Sequence, residues 1–277
     1  MFLTFNVRKI KNWSDVKATS NHNLRIGNFG KNVDSDLTAD NLSYSIGDAT
    51  PYDSIRRLWK EVGEQREQLG AIPLRNTTNK AVEIIVGASS EFFDNLSPKQ
   101  TKQFFIDQMN WLRKEYAGKG TLVSAVVHMD EPAAAPHMQA VFAPIKNKAT
   151  KIKGGKEVVA PTFTAKEMLG DPTALRLARD NQFKALGEKW GLKQGERYDD
   201  NTDPEKVKRD KMTLQEFKKH QDAAMEMLMH FDIDALRQTA IRYATSQNAL
   251  NKINNAYADN DKEALAKSIV TNQNKPK

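Results

Sequence analysis

An α+β fold is what the 277-residue sequence predicts: a central antiparallel sheet flanked by helices, followed by an all-helical C-terminal region. Three observations predict it. Strand-like runs alternate with long helical stretches up to about residue 190. The runs at 122–128 and 137–143 are close enough to form an antiparallel pair across a wide turn. Beyond about residue 205 the apolar spacing is helical and no strand signal remains.

The elements follow in order. Residues 2–8 alternate apolar and polar and predict a first strand. Residues 9–50 show little periodicity, are rich in Asn, Asp, Ser and Gly, and suggest a long functional loop with short elements. Pro51 opens a helix over 51–69, with Ile55, Leu58, Trp59 and Val62 at helical spacing. A strand at 82–86 should end at Gly87. Ser97-Pro98 starts a helix that runs to about Tyr116 and stops at Gly118 and Gly120. After the antiparallel pair comes a Lys-rich segment with Gly154-Gly155 as a hairpin tip. Residues 165–190 read as helix, broken near Gly170-Asp171-Pro172. The polar, turn-rich stretch 195–204 is the candidate linker. Two domains result, 1–200 and 205–277. In the second, Met225, Leu228, Met229, Leu236, Ile241 and Leu250 are spaced for packing, which suits an extra helical layer, a homodimer or a partner contact.

Composition narrows the chemistry. There is no cysteine, which excludes a disulfide scaffold, a zinc ribbon, an iron–sulfur site and a thiol nucleophile. A net charge of +7 tilts the chain towards a polyanionic partner. No run of 18 apolar residues predicts a spanning helix, and the first residues lack a charged leader, so a cytoplasmic location is expected. No P-loop pattern signals a helicase.

Only five histidines occur, and two fall within His128-Met129-Asp130-Glu131-Pro132-Ala133-Ala134-Ala135-Pro136-His137-Met138-Gln139. Strand residues at i and i+2 share a face, so His137 and Gln139 point the same way. His128, at the end of the neighbouring strand, can converge on them. Two imidazoles and an amide oxygen make a divalent-metal site of mixed N/O character. Asp130 or Glu131 would complete the sphere or orient a ligand imidazole. Lys146, Lys148, Lys151, Lys153 and Lys156 fall in eleven residues without an acid and read as a phosphate-contacting arm. Arg56, Arg57, Lys60 and Arg66 read as a solvated helix face, and His220 and His230 as structural or exposed.

The metal segment resembles that of the plasmid mobilisation and recombination (Mob/Pre) relaxases, within the HUH endonucleases. Their motif is His-x-Asp-Glu, a short spacer, then Pro-His-x-His. Earlier segments resemble the family too: His22-Asn23-Leu24-Arg25, Asn41-Leu42-Ser43-Tyr44, Leu74-Arg75, and Tyr116 ahead of His128. The likeness covers about residues 1–200. It departs in a spacer two residues longer and in Gln139 at the last ligand position, a His-x-Gln form that related viral replication nucleases use. An amide oxygen is harder than imidazole and favours Mn²⁺ or Mg²⁺ over Zn²⁺.

The resemblance implies an HUH-type nuclease domain that nicks one strand at a plasmid origin of transfer, presented as single-stranded or hairpin DNA. It implies His128, His137 and Gln139 as metal ligands and His22 as the nucleophile, giving a phosphoramidate. Glu131 or Asp130 would orient His22 or take its proton, and Arg25 would hold the phosphate or the leaving oxygen. Tyr44 is the rival nucleophile, since most HUH enzymes use Tyr; otherwise Tyr44 and Tyr116 would contact DNA by stacking, with Arg75 also a DNA contact. Two alternatives are a rolling-circle replication initiator and a DNA-binding protein that has lost cleavage.

Overall fold

The computed structural model describes residues 1–27, 33–45, 49–131, 134–152, 155–194, 214–244 and 247–273. The chain divides into two compact units, Met1–Glu196 and Arg197–Lys277.

The first unit is built on a five-stranded antiparallel sheet, β1 (Leu3–Ile10), β2 (Leu42–Ser45), β3 (Ala81–Ala88), β4 (Thr121–His128) and β5 (His137–Ala143), in the order β1-β3-β5-β4-β2. The register decides where the chemistry sits. His128 lies directly opposite His137, and Gly87 lies opposite His137 on its other side. These residues mark one end of the sheet. Ile10, Ala81, Ala143 and Thr121 mark the other.

Alternation sends side chains to two faces. Phe5, Val82, Ile84, Val86, Ala125, Val127, Met138, Ala140 and Phe142 enter a core with the aromatic side of α4 (Pro98–Glu115), contributed by Phe104, Phe105, Trp111 and Leu112. A capping box between Ser97 and Gln100, with Pro98 in the first turn, starts α4 as its sequence predicts. On the other face Ile10, Val123 and Val141 meet α1 (Trp13–Asn23) through Val16 and α2 (Pro51–Gln68) through Ile55 and Val62.

A two-stranded hairpin follows, β6 (Ile145–Lys151) and β7 (Glu157–Phe163). It takes in the Lys-rich segment, though Lys153 and Gly154 lie outside the described residues. Arg66 of α2 donates to the carbonyls of Ile72 and Pro161 and ties the helix to the hairpin. The break expected near Gly170 falls between helices Ala165–Leu169 and Pro172–Gln182, with Asp171 capping the second. The 195–204 linker lies outside the described residues.

The second unit contains helices Leu214–Met229, Ile233–Tyr243, Gln247–Ala258 and Lys262–Gln273. Leu236, Ala240, Ile253, Leu265 and Ile269 form its core. Among the described residues no helix is long and apolar enough to cross a membrane.

Two expectations need correction. Residues 9–50 are not mainly loop, because α1 occupies Trp13–Asn23. It carries no apolar stripe since Thr19, Ser20 and Asn23 are among its sheet-facing residues, so periodicity misses it. Gly87 also does not end β3, which runs to Ala88. A Cβ on Gly87 would stand 3.0 Å from the Pro136 carbonyl, so glycine lets the chain before His137 approach closely.

Candidate active site

α1 starts at the far end of the sheet, after β1, and runs back across it, so that its last turn brings His22 to the His128–His137 end. The ring centroids of His22 and His128 are 4.9 Å apart, and those of His128 and His137 5.3 Å. Gln139 Nε2 is 3.3 Å from His22 Nε2 and 3.4 Å from His137 Nε2. A half-turn of that amide, which exchanges its nitrogen and oxygen, aims the carbonyl at the same point.

Glu131 sits among the rings. Its carboxylate lies 3.3 Å from His128 Nδ1, 3.4 Å from His22 Nε2 and 4.0 Å from His137 Nε2. One donor atom from each of His22, His128 and Glu131 falls within 4.8 Å of the others, so Glu131 is placed to ligate as well as to orient.

These residues fit a divalent ion. His128 is 1% exposed; its Nδ1 faces Glu131 at 3.3 Å while its Nε2 has no hydrogen-bond partner, a costly state for a buried polar atom unless something else takes its lone pair. His137 sets its Nδ1 3.0 Å from the Ala135 carbonyl; donation there leaves the Nε2 lone pair for the site. Imidazole nitrogen, carboxylate and amide oxygen together suit Mn²⁺ or Mg²⁺. Burial pulls the His137 imidazole below its ordinary pKa, which keeps it neutral and able to ligate.

Arg25 has a different part from the one expected. Its side chain is 4% exposed. Nε and Nη2 donate to the two Asp130 oxygens at 2.9 and 2.5 Å, Nη2 also to Glu131 at 2.8 Å, and Nη1 to the His22 carbonyl at 3.0 Å. These donors are engaged inside the protein, on the His22 carbonyl and the Asp130 and Glu131 carboxylates. Arg25 makes these bonds from φ 53°, the left-handed position just past α1 where glycine is usual. Side chains there cost roughly 1–2 kcal/mol. The paired guanidinium offsets that strain.

Asp130, 0% exposed, is the other half of the clamp. Besides Arg25 it accepts from Thr38 Oγ1 at 3.0 Å and Asn41 Nδ2 at 2.8 Å, and its carbonyl accepts from the Asp34 amide. Asn41 Oδ1 in turn accepts from the Met129 amide at 2.7 Å. Burial alone would raise the Asp130 carboxyl, but the Arg25, Asn41 and Thr38 hydrogen bonds outweigh it and hold it well below the usual range. Glu131 behaves likewise: burial is outweighed by His128 and Arg25, which bring it to about 2. A carboxylate that acidic is a poor base, so orientation and charge are what it offers. His22 is lowered to about 4, chiefly by burial and then by His128, and is therefore neutral near pH 7.

The expected DNA contacts are scattered. Tyr116 is 3% exposed, its ring 5.5 Å from that of Phe142 within the core, so it cannot stack on a base. Tyr44 pairs with Ala125 and points to the α4 face, with Arg113 5.7 Å over its ring, away from the imidazoles. Arg75 is exposed, in the loop that leads into the far end of β3. Lys148 and Lys151 lie on β6, which leaves β5 at that same far end. Lys148 is not a free cation: it pairs with Glu167 at 2.9 Å, an acid outside the eleven-residue window. His220 and His230 are exposed. Thr38 and the clamp role of Asn41 escaped sequence reasoning; the Asn41 segment was the available signal.

A family model described as "Plasmid recombination enzyme", Mob_Pre, matches residues 1–219. A plasmid recombination enzyme type 3 of Staphylococcus aureus is 29% identical over 191 residues, covering 69% of this chain and 42% of that protein. Its counterpart in Mammaliicoccus lentus is 30% identical over 174 residues, 63% of this chain and 38% of that protein. The chain thus spans less than half the length of these curated relatives. Among solved structures, the Mn-bound MobM relaxase domain in complex with plasmid pMV158 oriT DNA matches with a TM-score of 0.59 at 19% identity. That match covers 79% of this chain and 100% of the MobM chain, and shows a shared fold.

Proposed function

Since the chain belongs to the Mob_Pre family of plasmid recombination enzymes, we propose that it is a metal-dependent DNA relaxase acting on plasmid DNA in the cytoplasm. It nicks one strand at an origin of transfer and holds the cut end covalently, for mobilisation or recombination. Residues 1–200 form the nuclease domain. Residues 205–277, helical where described from Leu214 on, form a second module suited to a homodimer or partner contact. The single observation that carries the reading is the convergence of His22, His128, His137, Gln139 and Glu131 at one sheet end.

His128, His137 and Gln139, with Glu131 beside them, would hold Mn²⁺ or Mg²⁺, whose chemistry there would be Lewis-acid polarisation of the scissile phosphate. His22 is assigned the nucleophile and not a ligand because its side chain is 43% exposed, where DNA can reach it, while the ring of His128 is sealed. The lone-pair nitrogen of its neutral imidazole attacks phosphorus, the N–P bond forms as the P–O bond to the 3′ oxygen breaks, and the departing 3′ oxygen takes a proton from water to become the 3′-hydroxyl. Arg25 fixes the His22 backbone, and ionised Glu131 stabilises the positive charge the ring gains.

The test is incubation with supercoiled origin plasmid and Mn²⁺, followed by isolation of a covalent protein–DNA adduct. The adduct should be acid-labile, survive Tyr44→Phe and vanish in His22→Ala. An acid-stable adduct that persists in His22→Ala and vanishes in Tyr44→Phe would overturn the assignment.

A further inference from the structure

Nothing in the proposed reaction uses the far end of the sheet, yet that end gathers aromatic rings and cations. Trp13 opens α1, and its ring stands edge-on to Trp59 at 5.7 Å and to Tyr52 at 6.2 Å, both on α2. Arg56 lies 5.2 Å over the Trp13 ring and 5.8 Å over Tyr52. Lys80 lies 4.8 Å from the Trp59 centroid, though its ammonium is already held by the carbonyls of Asn76 and Thr78. Trp13, Arg56, Arg57, Trp59 and Lys60 line a groove of about 510 Å³.

Arg56 is exposed and has no carboxylate partner among the described residues; one of its nitrogens, Nη1, donates to Tyr52 Oη at 3.3 Å, which leaves its other donors for a ligand. Arg57 and Lys60 have only loose helix-surface pairs, Glu61 at 3.9 Å and Glu64 at 3.6 Å, which a phosphate can replace at little cost. Trp13 and Trp59 are half-buried, so each keeps part of its ring open. The groove also meets the base of the Lys hairpin, because Trp59 packs 4.9 Å from Phe163, whose strand partner is Ile145.

The geometry points to a second nucleic-acid site here: a single-strand platform that stacks unpaired bases on the Trp13–Trp59–Arg56 surface while Arg57 and Lys60 meet the phosphates. Cations alone would suit any polyanion. Aromatic rings interleaved with an arginine plane select bases that are out of a duplex, where their faces are free. Nine residues separate Trp13 from His22 on α1, about 14 Å along the helix and half a turn around it. The platform is therefore a distal anchor, reached by a strand that passes over α1, and not an extension of the cleavage pocket. This inference rests on the nucleic-acid substrate proposed above.

The test uses the full chain in chelator, so that no nicking occurs, titrated with oligothymidylate over a salt series. Trp111 is buried and Trp190 is half-buried like Trp13 and Trp59, so the titration is run in a Trp190→Phe background, where quenching of tryptophan fluorescence reports on Trp13 and Trp59. Quenching is expected, with Arg56→Gln binding about fivefold more weakly or worse and its salt slope flattened by about 0.7. Arg56→Lys should keep the slope and lose affinity, since it keeps the charge but not the plane. An unquenched complex, or Arg56→Gln that lowers the melting temperature but leaves affinity unchanged, makes the cluster an internal clamp between α1 and α2 and overturns the platform. Equal, Arg56-dependent binding of a blunt duplex overturns the single-strand assignment. A protein that nicks plasmid but ignores oligothymidylate loses the platform alone; one that does neither loses the relaxase reading as well.

Discussion

The two ends of the sheet carry charge in opposite ways. At the His128–His137 end, charges are buried and answer one another: Arg25 is enclosed by Asp130 and Glu131, and three imidazoles crowd one carboxylate. At the other end, Arg56, Arg57 and Lys60 stand exposed beside rings, with weak acidic partners or none. Buried, mutually satisfied charges have fixed positions and shifted pKa values, which is what bond-making requires. Exposed charges on aromatic surfaces keep their freedom, which is what tolerant gripping of a polymer requires. Nearness to one or the other end of the sheet, not residue type, separates the two proposed tasks.

The largest effect should come from the enclosed end. His22→Ala should cut covalent adduct formation to background, while affinity for origin DNA, set mainly by phosphate contacts, changes little. Parallel loss of adduct and affinity would show that the two ends are not separate in function. A gel assay for the adduct and a filter-binding curve decide it.

Next comes the clamp. Asp130→Ala leaves Arg25 buried without its main partner and should cost about 3–5 kcal/mol, read as a lower urea midpoint. Arg56→Gln at the open end should cost under about 0.5 kcal/mol in the same assay. Similar losses at both sites would erase the distinction between fixed and free charge.

The third effect is one of pH. An ordinary histidine protonates near 6.5, whereas His22 is lowered to about 4. Only the neutral ring attacks, so the rate of adduct formation should hold between pH 7 and 5 and fall as pH drops through about 4. A rate that declines through 6.5 would mean that His22 is not shielded. The smallest effect belongs to Lys148. Its pairing with Glu167 means Lys148→Ala should flatten the salt slope of DNA binding by less than the 0.7–0.9 of a full phosphate contact.

Much of this was legible in the sequence because local rules govern it. The i, i+2 spacing of His137 and Gln139 puts both on one strand face, and five histidines leave few ways to build a site. Caps such as Ser97-Pro98 place α4 to the residue. What was hidden depends on residues far apart. Arg25 meets Asp130 across 105 positions, so no local pattern distinguishes a buried clamp from a phosphate hook. α1 escaped because its buried face is polar where it supports the site. Tyr116 misled because an aromatic ring suits a core and a base stack equally well, and only burial tells them apart.

The long reach of that clamp also fixes when the site is assembled. His22 is made early, but the groups that aim it arrive with Asp130 and Glu131, more than a hundred residues later. At about 5–20 residues per second, a ribosome takes roughly 5–20 s to cover that interval. Contacts so distant in sequence also form late in folding, after the strands between them have paired. The nascent chain therefore carries His22 without the residues that orient it, and the cluster exists only once the sheet does. Fragments that end before β4 keep His22 but lack Asp130, Glu131, His128 and His137, so under the proposed mechanism they should form no adduct.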